Sequence, residues 1–255
     1  RHHYRSEYPE LIRFSNTHFY KDELIVYPSP EQKQVLFHHY VENGIFEERK
    51  NLQEALAVAH YLETFTNWDK QSVGIVAFSE EQLKTIWKVC SARVQEQITI
   101  KQEENTGFFK ALENVQGDEF DQVILSLGYA PNREGRLVTN FGLLGKTGSE
   151  NRLNVAITRS RKILHVISSI EPEDFRPGQL ANPGLALLRE FLAWVKVQSK
   201  ARKIPSPEVK VTGFELDWSL KNQLLKSERG FTKDIPSAVM DLIFRDQEGN
   251  QRAIL

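Results

Sequence analysis

Ser72-Val73-Gly74-Ile75-Val76-Ala77-Phe78 is a continuous apolar run of strand length, and Ser79-Glu80-Glu81-Gln82 follows it at once. A strand with one wet face alternates apolar and polar residues, whereas an unbroken apolar run suits a strand covered on both faces. Ser79 with Gln82 three residues later fits a helix-capping box. Leu83, Ile86, Trp87 and Val94 continue that helix. The same pattern recurs outward along the chain. Gln122-Val123-Ile124-Leu125-Ser126-Leu127 and Ile163-Leu164-His165-Val166-Ile167 are further buried strands, Ile98-Thr99-Ile100 is a weaker one, and Leu24-Ile25-Val26-Tyr27 is a short one stopped by Pro28 and Pro30. Helices are expected over 7–20, over Asn51 to Thr66, and from a Ser149 cap through Arg161. Strands alternating with helices mean βαβ units. The fold class is therefore α/β, a parallel sheet with helices on both faces. In such sheets ligands sit outside the carboxyl ends of the strands.

Composition narrows the function. The chain has 255 residues, 40% hydrophobic and 26% charged, which is ordinary for a globular protein. Thirty-three Lys and Arg against 34 Asp and Glu leave a formal charge of -1, so any nucleic-acid groove must be locally rather than globally basic. No apolar run approaches the roughly 18 residues of a membrane span. One cysteine, Cys90, excludes an intrachain disulfide and a multi-thiolate metal site. No secretory signal opens the chain, so the cytoplasm is the expected location. The abrupt start at Arg1-His2-His3-Tyr4 reads as a piece of something larger.

Around Glu171 the texture changes. Pro172, Pro177, Gly178, Pro183 and Gly184 mark a connector over 171–207, containing a helix from about Leu185 to Ala201. A third unit, 208–255, reads as a helix near Asp217–Glu228 and two strands, Ala238–Phe244 and Gln251–Leu255.

Four segments can bear chemistry. Gly145-Lys146-Thr147 resembles the end of a phosphate loop, but the motif requires a glycine where Asn140 stands, so an exposed loop is expected. Asn114-Val115-Gln116-Gly117-Asp118-Glu119-Phe120-Asp121 precedes a strand. Gly117 permits a tight turn, and Glu119 and Asp121 could accept ribose hydroxyls or organise a basic side chain; a polar strand-entry loop is the plainer alternative. In Asn151-Arg152-Leu153-Asn154-Val155-Ala156-Ile157-Thr158-Arg159-Ser160-Arg161, Arg152 and Arg159 are seven apart, two helical turns, so they lie on one side of the expected helix. Two guanidiniums on one side suit phosphate, though a solvated basic face would look the same. His3-Tyr4-Arg5-Ser6 pairs an aromatic ring with a cation, able to take a base and a phosphate.

Together with Asn51, Glu54-Ala55 and Gln82, these segments occur in an order that resembles the second RecA-like domain of superfamily 1 helicases, in the Upf1-like branch that includes Dna2- and NAM7-type proteins. The resemblance covers about residues 1–170 and implies a RecA-like, P-loop NTPase-type domain with ATP in a cleft shared with another such domain. It implies Tyr4 against adenine, Arg5 at the terminal phosphates, Glu119 at the ribose or nucleotide, Arg159 as arginine finger, and Arg152 as a further nucleotide contact. Gln116 and Gly117 would couple nucleotide to the nucleic-acid groove, where Ser79 and Asn114 would lie. Val115 and Asp118 depart from the common family pattern, in which Phe and Arg are frequent there.

The implied cofactors are ATP and Mg²⁺. The residues that hold both belong to a RecA-like domain expected upstream of Arg1, because no phosphate loop and no apolar run ending in Asp-Glu occurs here. The implied partners are that upstream domain and single-stranded nucleic acid, DNA before RNA, with no membrane. The chain alone is expected to be inactive. The tail resembles the opening of a Vsr- or restriction-endonuclease-like domain, in which Asp241 would be a first metal ligand. Two alternatives to the motor stand beside it: a metal-dependent nuclease with a helicase-like partner domain, and a non-catalytic nucleic-acid scaffold. Intact Gln116-Gly117-x-Glu119 and Thr158-Arg159 argue against the scaffold.

Overall fold

The fold is seen in a computed structural model that describes residues 6–26, 29, 33–117, 119–137, 141–146, 149–199, 202–203, 231–232, 242–245 and 251–254. The chain divides into two compact units, Arg1–Pro207 and Glu208–Leu255. The first is built on β1 (Leu36–Tyr40), β2 (Val73–Ala77), β3 (Gly107–Ala111), β4 (Phe120–Ser126), β5 (Ser160–Ser168) and the two-residue β6 (Arg202–Lys203). These form one sheet in the order β3-β2-β4-β5-β1-β6, every pair parallel. All residues of β2 and β4 are buried, as the unbroken apolar runs Val73–Ala77 and Val123–Leu125 require, and the polar Asp121, Gln122 and Ser126 of β4 are buried with hydrogen-bond partners.

Helices α1 (Pro9–Tyr20), α2 (Leu52–Thr64), α3 (Glu80–Val89), α4 (Ala92–Glu103), α5 (Ser149–Ile157) and α6 (Pro183–Gln198) cover the sheet. On one face Leu62, Ile86 and Ile98 of α2, α3 and α4 pack with Ile75, Ile124 and Ile167. On the other, Phe14, Leu153, Ile157, Leu188 and Phe191 of α1, α5 and α6 pack with Val123, Leu125, Leu164 and Val166. The segment expected as a connector is thus folded onto this unit: α6 buries Leu185, Leu188, Phe191, Leu192 and Val195 in the same core. Among the described residues no helix is long and apolar enough to cross a membrane.

Several local expectations are corrected. Ile98-Thr99-Ile100 is helical. Ser91 caps α4 by accepting from the Val94 N–H, and Val94 and Ile98 bury one helical face. Leu24–Val26 adds no strand to the sheet, because Asn16 receives the Leu24 N–H and donates to its carbonyl, folding the chain back on α1. The first strand is instead β1, whose Leu-Phe-His-His-Tyr sequence looks too polar to be one. Its histidines are buried because each has a partner. The His38 ring meets Ser168 at 2.8 Å. His39 Nε2 meets His165 Nδ1 at 2.9 Å, His165 Nε2 meets the Tyr61 hydroxyl at 2.8 Å, and that hydroxyl donates to Gln122.

This relay runs in one direction with every ring neutral. Burial, with His39 adding to it, pushes the His165 pKa down to about 3. A group depressed in the folded state stabilises above its unfolded pKa of about 6.5 and loses that contribution as pH falls below it. Urea unfolding at pH 5 is therefore expected to show about 2 kcal/mol less stability from His165 than at pH 7.5, and His165→Gln to remove that part of the slope.

In the second unit, β7 (Phe231–Thr232), β8 (Leu242–Arg245) and β9 (Gln251–Ile254) form an antiparallel sheet. The two expected tail strands overlap β8 and β9. The expected helix near 217–228, and Asp241, lie outside the described residues.

Candidate functional site

The candidate residues fall at both ends of the sheet, not only at the carboxyl ends. Arg159 directly precedes β5, and Gly117 and Glu119 precede β4, which puts them toward the amino ends. Ser79 follows the end of β2 by one intervening residue, Phe78, at the carboxyl edge. The split follows from chain order: two motifs precede their strands and one follows its strand.

At the amino end, Arg159 is only 5% exposed. Its Nη1 donates to the Gly117 carbonyl at 2.7 Å, its Nε to the Val155 carbonyl at 2.9 Å, and Nη2 lies 3.3 Å from the Thr158 hydroxyl. A solvated basic face is therefore overturned at Arg159. So is the shared face with Arg152. Helix α5 ends at Ile157, and the Thr158 hydroxyl bonds back to the Asn154 and Val155 carbonyls before β5 begins at Ser160. Arg152 stays within α5, exposed, while Arg159 leaves the helix and turns inward.

Gly117 has φ +77, which glycine adopts without strain, and no atom lies within 4 Å of where a Cβ would stand. It is exposed. Glu119 is half-buried and Gln116 exposed. Ser6 donates to the Ser160 carbonyl at 3.3 Å and the Glu7 N–H to the Arg161 carbonyl at 2.8 Å, so the chain start runs beside the residues after Arg159. Tyr4 and Arg5 lie outside the described residues, as does Asp118.

Asp121 is structural. It receives the Ser72 N–H and pairs with Lys162 at 3.0 Å. Burial pushes its carboxyl up, but the Ser72 N–H and Lys162 outweigh that and hold it below the usual range.

The segment between β3 and β4 links the two ends. It leaves β3 at the carboxyl edge, where Asn114 donates to Glu80 at 2.9 Å beside Ser79. It then runs with Leu112 and Val115 buried against Leu153 and Ile157, and presents Gly117 to Arg159.

Behind Ser79 lies a buried polar network that sequence reading left without a role. Ser79 caps α3 by accepting from the Gln82 N–H and donates its own proton to the Arg49 carbonyl at 3.2 Å. Gln82 is fully buried. It accepts from the Asn51 N–H and donates to the Asn51 carbonyl and the Ser126 hydroxyl. Asn51 caps α2 and donates to Ser169 at 2.8 Å. Glu54 is fully buried too, receiving the Ser126 hydroxyl at 2.8 Å and the Gly128 N–H at 2.7 Å. Burial pushes its carboxyl up to about 8, against the opposing bonds from Gly128, Ser126 and Ser169. Gly44 closes the network: a Cβ there would stand 2.3 Å from Ser169 Oγ and 2.7 Å from Asn51 Nδ2. Asn51, Glu54 and Gln82 were visible as parts of the family pattern. Ser126, Ser169 and Gly44 carry no signal in sequence, since only the fold brings them there.

Lys146, expected in an exposed loop, is exposed just after a short 3-10 turn, Gly142–Gly145. Among the described residues no group of three or more His, Cys, Asp or Glu is placed to hold a metal ion.

A family model described as an AAA domain matches residues 1–171. The uncharacterized ATP-dependent helicase MG140 of Mycoplasma genitalium is 36% identical over 208 residues, 78% of this chain and 18% of that protein. Its homolog in Mycoplasma pneumoniae is 34% identical over 207 residues, 77% of this chain and 18% of that protein. The chain thus spans about a fifth of the length of the curated relatives it matches.

Proposed function

Because the chain belongs to the AAA domain family, we propose that it is the second RecA-like half of an ATP-dependent helicase or translocase motor of the Upf1-like branch of superfamily 1. The observation that carries this reading is the 2.7 Å bond from Arg159 to the Gly117 carbonyl. It joins two segments 42 residues apart at one end of the sheet, with Ser6 and Glu7 beside them. A guanidinium, a glycine turn open to solvent and a half-buried carboxylate at Glu119 fit one face of a nucleotide. Arg159 would stabilise charge on the transferring phosphoryl group, Arg5 the terminal phosphates, Glu119 the ribose, and Tyr4 the adenine. Arg152, exposed on α5, would meet the nucleotide only through the upstream domain. Mg²⁺ would be held by that domain. Ser79 and Asn114 would border the single strand at the opposite end, and the segment from Asn114 to Gly117 would connect the two sites.

The test is ATP hydrolysis by the full-length protein with and without single-stranded DNA or RNA. Hydrolysis stimulated by the strand is the expected result, and no hydrolysis under either condition sinks the reading. The chain alone should not bind ATP tightly, since half of the site is elsewhere. Calorimetric titration of the isolated chain is expected to show no micromolar binding.

A further inference from the structure

We infer that Arg49 is a phosphate contact for the single strand, presented by a strained turn beside Ser79. The inference rests on the motor reading and goes beyond its motif residues.

The turn is Glu47-Glu48-Arg49-Lys50. The Glu47 and Lys50 N–H groups each donate to the other's carbonyl at 3.0 Å. Glu48 has φ 51 and Arg49 φ 63. Two successive left-handed residues make a tight turn that normally selects Asn-Gly or Gly-Gly. Here neither residue is glycine, so the backbone is strained twice over, and such strain persists only where the surroundings impose it. The surroundings are visible. Lys50 pairs with Glu48 at 2.9 Å, Arg133 with Glu47 at 2.8 Å, and the Phe46 N–H bonds the Pro131 carbonyl. Ser79 donates to the Arg49 carbonyl itself.

The bracing also sorts the charges. Lys50 and Arg133 are neutralised by the turn's own carboxylates. Arg49 is exposed and makes no ion pair among the described residues. Nearby Glu80 is taken by Asn114, and Glu81 by Lys84 at 3.0 Å. The charge of Arg49, after that of Lys84, also helps hold the Glu81 carboxyl low, so its field reaches the start of α3. An exposed cation at the carboxyl edge of the sheet, on a residue whose backbone carbonyl Ser79 bonds, has the chemistry of a phosphate site rather than of a fold contact. Glycine would give the same turn without strain, but it would remove that cation.

The test uses the full-length protein and a fluorescently labelled oligothymidylate, with affinity measured across a series of salt concentrations. Each phosphate neutralised on a single strand contributes about 0.7 to the slope of log affinity against log salt. Arg49→Ala and Arg49→Gly are both expected to lower that slope by about 0.7, and Arg49→Lys to keep it. Arg49→Gly relieves the turn, so its loss of binding cannot come from a damaged fold. An unchanged slope in both Ala and Gly variants, with a wild type that binds, overturns the Arg49 assignment alone. A wild type that does not bind the strand overturns the motor reading and this inference with it.

Discussion

Replacing Arg159 with alanine in the full-length protein is expected to lower ATP turnover by roughly 10³–10⁵, the range found for loss of an arginine finger. In the proposed role the guanidinium would act mainly on charge that develops in the transition state, so turnover should fall far more than ATP affinity. Arg159→Lys should not restore it. An ammonium cannot bridge the Gly117 and Val155 carbonyls and a phosphate with one planar fork. The structure adds a second effect. Arg159 is buried and bonded rather than free, so Arg159→Ala should also cost the isolated chain about 1–3 kcal/mol in urea unfolding. The two measurements separate roles. Lost stability with near-normal turnover would make Arg159 a brace between α5 and the Gly117 turn, and nothing more.

The fold was largely legible because its central strands are apolar on both sides. β2, β4 and β5 could be read without knowing what covered them. β1 could not. His38 and His39 look like surface residues until Ser168 and His165, more than a hundred residues away, supply their partners. α4 was misread for the opposite reason: three residues, Ile98 to Ile100, fit either period, and the Ser91 cap that decides the matter lies seven positions earlier.

The candidate site was legible as a set of motifs but not as an arrangement. Spacing put Arg152 and Arg159 on one helical face, and that holds only if the helix continues. Thr158 turns its hydroxyl onto the preceding carbonyls and the chain leaves for β5, which sends Arg159 inward. No local pattern shows that its partner is the carbonyl of Gly117, because that bond is made by two strands lying side by side.

Glu54 gives the largest stability effect. Its carboxyl is fully buried at the carboxyl ends of β4 and β5, with a folded pKa of about 8 against an ordinary value of 4.5. A carboxyl raised in the folded state favours folding fully below its unfolded pKa and loses that contribution as pH rises through the folded pKa. Stability should therefore fall by roughly 2 kcal/mol between pH 6.5 and pH 9, a window above the titration of His165. Glu54→Gln does not titrate, and its profile should be flatter by that amount. Glu54→Ala is a harsher change. It leaves the Gly128 N–H and the Ser126 hydroxyl without their acceptor in a buried site, and should cost about 4 kcal/mol near neutral pH. The loss should spread to Ser79, because Gln82 shares Ser126 with Glu54 and Ser79 caps the helix that holds Gln82. Amide exchange at the start of α3 should accordingly speed up in Glu54→Ala and stay slow in Glu54→Gln. Equal stability of the wild type at pH 6.5 and 9, after subtraction of the Glu54→Gln profile, would show that Glu54 is ionised across the whole range, held by its donors alone.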